Sequence, residues 1–419
     1  MQTHLSPEFT GTPEGTAAEK ILRACVHCGF CNANCPTYQV QGDELDGPRG
    51  RIYLIKQMLE GAATGVSTQR HLDRCLTCLA CQTTCPSGVD YGTLIGIGRE
   101  LVEHRVPRPA AVRLKRWVLK EGLTSRAFAP ALRLARLLRG VLPAALRESI
   151  PAAPRNVGAL PARKHPRRIL LLAGCTQPAM LPNINRATAR VLDACGIETV
   201  IEPGAGCCGA LREHLADRSG GLKDARRNID AWWPSIENGS IEAIVMNASA
   251  CGLAVKGYGA ALSGDAAYAK RAARVSELAR DLSELLPDLV PRLRPLLARG
   301  GGDESTAGTV SVHLPCTLQH GQRLREGLAA HLKELGFQVN AACADSHLCC
   351  GSAGTYSVLQ PELSRTLRAR KLQALLAAEP ATVVSANVGC ISHLQAGTPT
   401  PVRHWIELLD ERIAAGVGT

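Results

Sequence analysis

The residues of this chain best placed to do chemistry are eight cysteines in two identical runs. Cys25-x2-Cys28-x2-Cys31-x3-Cys35-Pro36 recurs as Cys75-x2-Cys78-x2-Cys81-x3-Cys85-Pro86. Three thiolates two residues apart let one tight loop cap three irons of a [4Fe–4S] cubane. The fourth cysteine, running into Pro, is turned away and ligates the other cluster. The spacing therefore predicts two clusters, one on Cys25, Cys28, Cys31 and Cys85, the other on Cys75, Cys78, Cys81 and Cys35. Zinc also binds paired C-x2-C, but takes four ligands from two pairs. The third cysteine and the trailing Cys-Pro of each run are surplus to that pattern.

A second pattern follows. Cys175, Cys207-Cys208-Gly209 and Cys251 are answered by Cys316, Cys349-Cys350-Gly351 and Cys390. A vicinal pair followed by Gly suits a bend where the backbone and both sulfurs approach one ligand. These eight cysteines are read as an additional redox site, two units facing across a pseudo-twofold axis and able to pool up to six thiols. The plain alternative is buried structural thiols. Gly204-Ala205-Gly206-Cys207-Cys208-Gly209 also matches G-x-G-x-x-G, a dinucleotide-loop pattern. The second copy, His347-Leu348-Cys349-Cys350-Gly351, lacks the first two glycines, so Cys-Cys-Gly is the shared feature.

The elements that must position these cysteines differ between the two patterns. Each isolated cysteine of the second pattern follows an apolar, β-branched run: ILLLAG, EAIVMNASA, TVSVHLP or TVVSANVG. Such runs read as buried strands, and NINRATARVLDACG and LREGLAAHLKELG between them as helices stopped at Gly196 and Gly336. Alternating strands and helices predict parallel sheets, with the cysteines at the carboxyl ends of strands, where such sheets bind ligands. The first pattern sits among short helices and turns. RIYLIKQMLEG reads as a helix stopped at Gly61 that packs over one cluster, with Arg49 and Arg51 able to raise its potential.

The expected fold is thus α+β and multidomain. Residues 1–98 form a mostly helical ferredoxin-like domain, 99–167 a connector, and 168–300 and 308–419 two repeated α/β cysteine-rich domains. Gly300-Gly301-Gly302 and the polar residues to Gly308 link the repeats.

Composition narrows the class. The chain has 419 residues, 45% of them hydrophobic but only 3% aromatic, so its core must be aliphatic. No run of about 18 uncharged apolar residues predicts a membrane span, and MQTHLSPEFTGTPEG has no secretory h-region. Eighteen cysteines without an export signal point to metal or redox chemistry in a reducing, cytoplasmic setting. From Arg99 to Arg168 there are 17 Lys and Arg against four acids, a net +13, when the whole chain carries +11. AVRLKRWVLK and ALRLARLLRGVLPAALR combine this charge with Leu, Val and Trp117 at helical spacing. That suits peripheral docking on an anionic membrane surface or an acidic partner. No nucleic-acid recognition motif or stacking aromatics accompany it.

No substrate-converting set is present: there is no phosphate loop, no Gly-x-Ser-x-Gly and no flavin-binding stretch. His313, His347 and His404 read as structural. The chain reads as an electron relay that needs a partner.

With these motifs the chain resembles the iron–sulfur subunits of glycolate oxidase (glycolate dehydrogenase). Asp46-Gly47-Pro48-Arg49-Gly50-Arg51, Ala386-Asn387-Val388-Gly389-Cys390 and His404-Trp405-Ile406-Glu407-Leu408 carry the likeness beyond the cysteines. The resemblance implies FAD-bearing partner subunits that oxidise glycolate to glyoxylate. This chain, without a flavin of its own, would pass electrons toward quinone at the inner face of the cell membrane. Related subunits serve glycerol-3-phosphate, lactate and heterodisulfide oxidoreductases. A self-sufficient reductase with a cluster at the Cys-Cys-Gly units is a further alternative. Relatives of the heterodisulfide type follow Cys-Cys-Gly with C-x-x-C. Here Cys251 and Cys390 stand alone, which argues against an unusual extra cluster.

Overall fold

The computed structural model describes residues 1–125, 127–140, 157–299, 308–340 and 344–417. The Gly300–Gly302 linker, Cys343 and the end of the second basic stretch lie outside them.

The amino-terminal unit is helical. Helix Pro13–Ala24 opens with Pro in its first turn, and the Thr12 side chain accepts from the Gly15 N–H, a cap that satisfies one orphan donor. Helix Pro48–Leu59 follows and the chain turns left-handed at Gly61, as the sequence predicts. Helix Tyr91–Arg105 is capped by Asp90. Leu22, Ile55, Leu94 and Ile95 bring these three helices onto one core. The last helix does not stop at residue 98. Its apolar period runs on, and Val102 lies in the same core. A Cβ at Gly98 would sit 2.6 Å from an Ile55 side-chain carbon, so glycine there permits the close helix crossing.

The remainder forms two four-stranded parallel sheets. Strands β1 (Arg167–Leu171), β2 (Ile197–Val200), β3 (Ala243–Met246) and β4 (Ala279–Asp281) lie in the order β2-β1-β3-β4. Strands β5 (Val310–Val312), β6 (Val339–Asn340), β7 (Thr382–Ser385) and β8 (Val402–His404) lie in the order β6-β5-β7-β8. The same order in both sheets makes the repeat structural as well as sequential. The predicted helices appear as Asn183–Ala194 and Gly327–Glu334, with left-handed Gly196 and Gly336 just beyond them.

The two repeats are fused. Helix Leu286–Arg299, which closes the first, packs on Gly327–Glu334 of the second. Helix Trp405–Val417, which closes the second, packs on Asn183–Ala194 of the first. One aliphatic core runs through Ile169, Val191, Leu289, Val312, Val383 and Leu409. Buried polar groups fix the register: Ser249 N–H donates to the Ala386 carbonyl, and Gln322 Nε2 donates to the Ser249 carbonyl.

His404 spans this junction. Its Nε2 donates to the Asn247 carbonyl at 2.9 Å, and its Nδ1 accepts from Ile406 N–H at 3.1 Å. Both ring nitrogens are used by the neutral imidazole, and burial lowers its pKa to about 3. The unfolded chain takes this proton near the ordinary histidine value, so between the two values it binds more protons than the native state. Stability then falls as pH falls. Chemical denaturation is expected to show a lower midpoint at about pH 5 than at about pH 7.

Candidate functional site

The two cysteine runs fold into loops of the same shape. In the first, His27 and Gly29 have positive φ; in the second, Thr77 and Leu79 do, at the same offsets from Cys25 and Cys75. Left-handed residues in such loops point successive N–H groups inward and make concavities that suit anionic centres, Fe–S sites among them. Gly29, at φ 86°, takes the left-handed conformation without a Cβ penalty. Leu79 carries the left-handed strain instead in the second.

Each loop borders a cavity. The first, of about 440 Å³ counted to its open mouth, is lined by Cys25, Cys28, Cys31 and Cys85, and also by Cys81. The second, of about 290 Å³, is lined by Cys35, Cys75, Cys78 and Cys81. Pro48, Cys81 and Tyr91 line both. The fourth cysteine of each run thus lies with the first three of the other. Soft thiolate donors in closed groups of four suit an iron–sulfur cluster, so the residues present fit that group.

The charges differ between the cavities. The first opens outward: Cys28 is exposed, as are Val26 and Phe30 on its rim, Phe30 by 64%. The second is backed by a buried network. Arg51, only 1% exposed, donates to the His71 carbonyl (2.7 Å) and Thr37 Oγ1 (3.1 Å), and pairs with Asp46. Asp46 also holds His71 Nδ1 at 3.0 Å and Arg74 at 2.7 Å. Burial opposes ionisation of the Cys75 thiol, but Arg51 and Arg99 outweigh it, and Cys75 is lowered. Cys78 and Cys81 are raised by burial. The sequence reading put Arg49 and Arg51 beside one cluster. Arg49 lines the first cavity and Arg51 the second, because helix Pro48–Leu59 starts between the two.

Each repeat gathers its own four thiols rather than pooling them. Cys175, Cys207, Cys208 and Cys251 form a hydrogen-bonded chain, in which donation from Cys175 and Cys208 lowers Cys207. Cys316 Sγ lies 3.9 Å from Cys349 Sγ, and Cys350 links Cys349 to Cys390. Both Gly209 and Gly351 are left-handed, and a Cβ at Gly351 would sit 2.6 Å from the Ser364 carbonyl oxygen. Their N–H groups donate to Cys207 and Cys349 Sγ, so the glycine of Cys-Cys-Gly serves the first sulfur of the pair. His313 is drawn in: its ligand nitrogen lies within 4.8 Å of the Cys350 and Cys390 sulfurs. His347 is partly buried beside Asp345 and Lys371.

The helical unit sits on the second repeat. Leu76, Cys78 and Ala80 pack with Cys349, Tyr356, Leu363 and Leu367, so the second cavity and the thiols of the second repeat share one apolar wall. Thr77 Oγ1 meets His214 Nδ1 at 3.0 Å, and Tyr356 OH donates to the Arg74 carbonyl. Neither His214 nor Tyr356 carries a sequence signal; both are brought to the cysteines by folding alone.

A helical unit with paired four-thiol cavities, joined to tandem four-thiol parallel-sheet domains, defines an iron–sulfur protein of the electron-transfer class. Its residues 21–89 match the 4Fe-4S dicluster domain, and residues 169–256 and 310–395 match the cysteine-rich domain. It is 50% identical to the glycolate oxidase iron-sulfur subunit of Escherichia coli over 99% of both chains. It is 31% identical to a probable glycolate oxidase iron-sulfur subunit of Bacillus subtilis, over 90% of this chain and 89% of that one. Lactate utilization protein A of Anoxybacillus flavithermus is 25% identical over 58% of this chain. The chain belongs to the family of glycolate oxidase iron–sulfur subunits.

Arg51→Met removes a buried cation from Asp46 and a donor from the His71 carbonyl. Stranding a buried partner costs about 3–5 kcal/mol. Arg74 and His71 still hold Asp46, so a loss near the lower end, about 3 kcal/mol, is expected in denaturant titration.

Proposed function

We propose that this chain is the electron-transfer subunit of a glycolate dehydrogenase, with glycolate oxidised to glyoxylate on FAD-bearing partner subunits and quinone as the final acceptor. The observation that carries the reading is the crossed grouping of eight thiols around two adjoining cavities, within a chain half identical to a glycolate oxidase subunit along its length. Cys25, Cys28, Cys31 and Cys85 would hold one [4Fe–4S] cluster and Cys75, Cys78, Cys81 and Cys35 the other. Bound there, each cluster supplies a reversible one-electron step.

The chain's own residues do the rest. Val26 and Phe30, with Tyr53 close by, offer exposed apolar surface at the mouth of the first cavity, suited to docking a flavoprotein partner. Arg51 and Arg99 set positive charge against the second cavity and favour the electron-rich state there. Tyr91 OH donates to Cys75 Sγ at 3.6 Å, and a hydrogen bond to sulfur shifts potential the same way. The thiol quartets of the repeats, Cys175, Cys207, Cys208 and Cys251, and Cys316, Cys349, Cys350 and Cys390, form an additional redox site. The second quartet shares a wall with the second cavity.

The connector supports peripheral contact with the cytoplasmic face of the membrane. No described helix is long and apolar enough to cross a membrane. Helix Ala110–Trp117 and the π-helical turn after it instead turn Leu114, Trp117 and Val118 to solvent, Trp117 by 58%. Helix Phe128–Leu137 exposes Leu134 and Leu137, the latter by 83%, and buries Leu132. Arg113, Lys115 and Arg133 flank these faces. Outward apolar stripes edged by cations suit an anionic bilayer interface.

Anaerobically purified protein is expected to carry about eight irons and eight sulfides on the two ferredoxin-type sets. Cys31→Ala should leave about four of each there. Zinc without sulfide would overturn the reading. Sedimentation with vesicles containing anionic lipid is expected to fall about tenfold in Trp117→Glu or Leu137→Glu, since each loses the transfer energy of one large apolar side chain. Equal binding to purely zwitterionic vesicles would remove the charge argument.

A further inference from the structure

An open trough, about 1,420 Å³ counted to its mouth, separates the helical unit from the first repeat. Helix Tyr91–Arg105 lines it with Gly92, Gly96 and Glu100, four residues apart and so on one face. Helix Pro13–Ala24 adds Glu14 and Ala17. The opposite wall includes Glu213, Gly257 and Ala260 of the first repeat. The matching face of the second repeat is covered. There helix Pro361–Leu376, which follows Cys-Cys-Gly as Arg218–Glu237 does in the first repeat, packs Leu363 and Leu367 with Leu76 and Ala80 of the helical unit. In the first repeat the corresponding helix lines the trough with Gly221, Leu222 and Ala225.

Two features of the trough are not explained by the chain's own packing. Gly96 is exposed, and a Cβ there would meet nothing within 4 Å. Glycine inside a helix costs stability relative to alanine. Gly98 is needed for the crossing with Ile55; Gly96 has no such neighbour, and leaves room for a backbone from outside the chain. Charge is the second feature. Among the described residues Arg218 is the one cation of the lining, and Glu14 pairs with it at 3.8 Å. The carboxylates of Glu100 and Glu213 have no hydrogen-bond or ion-pair partner among those residues. Glu213 is exposed by surface area, yet the protein around it encloses it enough for burial to raise its pKa, against the charge of Arg218. The whole chain carries +11, so this excess of acid is local. Unpaired carboxylates on a concave wall are complemented by a cation that arrives with the occupant.

We infer that the trough holds a helix of a flavin-bearing partner subunit, one that packs on Gly92 and Gly96 and carries Lys or Arg toward Glu100 and Glu213. The inference rests on the relay reading above, in which the chain works with such subunits. Small side chains at a contact let helix axes approach closely, and laying a helix into a groove is a recurrent mode of recognition. Position favours this partner. Tyr91 lines the first cavity and Gly92 the trough, and helix Pro13–Ala24 runs directly into Cys25. The two helices that wall the trough therefore both abut the first cavity, beside the exposed Val26 and Phe30.

The test uses the full chain, loaded with its clusters, tagged and co-expressed with the flavin-bearing subunits. Ala260→p-benzoylphenylalanine, at the exposed lip of the trough, is expected to crosslink on illumination to one of those subunits, at a peptide carrying Lys or Arg. Gly96→Trp, which fills the trough, and Glu213→Lys, which reverses its charge, should each lower the recovery of those subunits with the chain about tenfold. Replacing the crosslinked cation by Glu should restore recovery with the Glu213→Lys chain, which a misfolded variant would not allow. Iron content, read on each variant, should match that of the unsubstituted chain. Crosslinking to a second copy of this chain or to lipid, no crosslink within an intact complex, or full recovery of the subunits with both substitutions would overturn the trough and leave the relay standing. An unsubstituted, cluster-loaded chain that retains no flavin-bearing subunit would overturn the relay reading and this inference with it.

Discussion

Arg51 is a buried cation set between the last cysteine of one run and the first cysteine of the other. Five neighbours depend on it: the His71 carbonyl, Thr37, Asp46 and, through its charge, Cys35 and Cys75. Burial alone would lower its pKa, but the surrounding groups raise it instead. A lone ion in that position would be prohibitively costly; a paired and hydrogen-bonded one is tolerated and specifies its surroundings. Here it specifies the crossing of the two runs. The segment carrying Cys35 is tied to Asp46, and Asp46 is tied to His71 and Arg74, just before Cys75.

The repeats solve a related problem differently. Their thiols are brought together by the loops and helix starts that follow the strands and by glycine bends, with N–H and thiol donors beside the sulfurs, and the charge of buried Lys371 acts on Cys316. The two copies share topology but not surroundings. The second packs on the helical unit through Cys349 and Tyr356 and has His313 beside its sulfurs. The position equivalent to His313 in the first repeat is Leu172, a core residue. A symmetric fold thus carries two unequal sites, and among the described residues only the second adjoins the cysteines of the helical unit through a common apolar wall.

Exposed apolar surface is also divided by role. Val26, Phe30 and Tyr53 cluster near the first cavity, whereas Leu114, Trp117, Val118, Leu134 and Leu137 lie on the connector. Contiguous exposed apolar surface is the kind that contact faces use. The connector helices keep only one side for the body of the protein, through Leu132 and the ion pairs of Arg116 and Lys120.

The sequence by itself determined the class of protein. Cysteine spacing is local covalent geometry, so the two runs, the repeat and the strand-end placement of Cys175, Cys251, Cys316 and Cys390 were legible before any fold. So were the helix stops at Gly61, Gly196 and Gly336, because left-handed backbone is a property of the residue itself. The division of Arg49 from Arg51 was not, since it depends on where a helix begins between two cavities. Nor was the continuation of the helical unit past residue 98, or the closure of each thiol quartet within its own repeat. Tertiary structure alone decided these, and it alone brought His214, Tyr356 and Arg99 to Cys75. Those residues are far apart along the chain and carry no motif. What joins them is packing between units, and packing is set by the shapes of whole faces, which no short stretch of sequence displays.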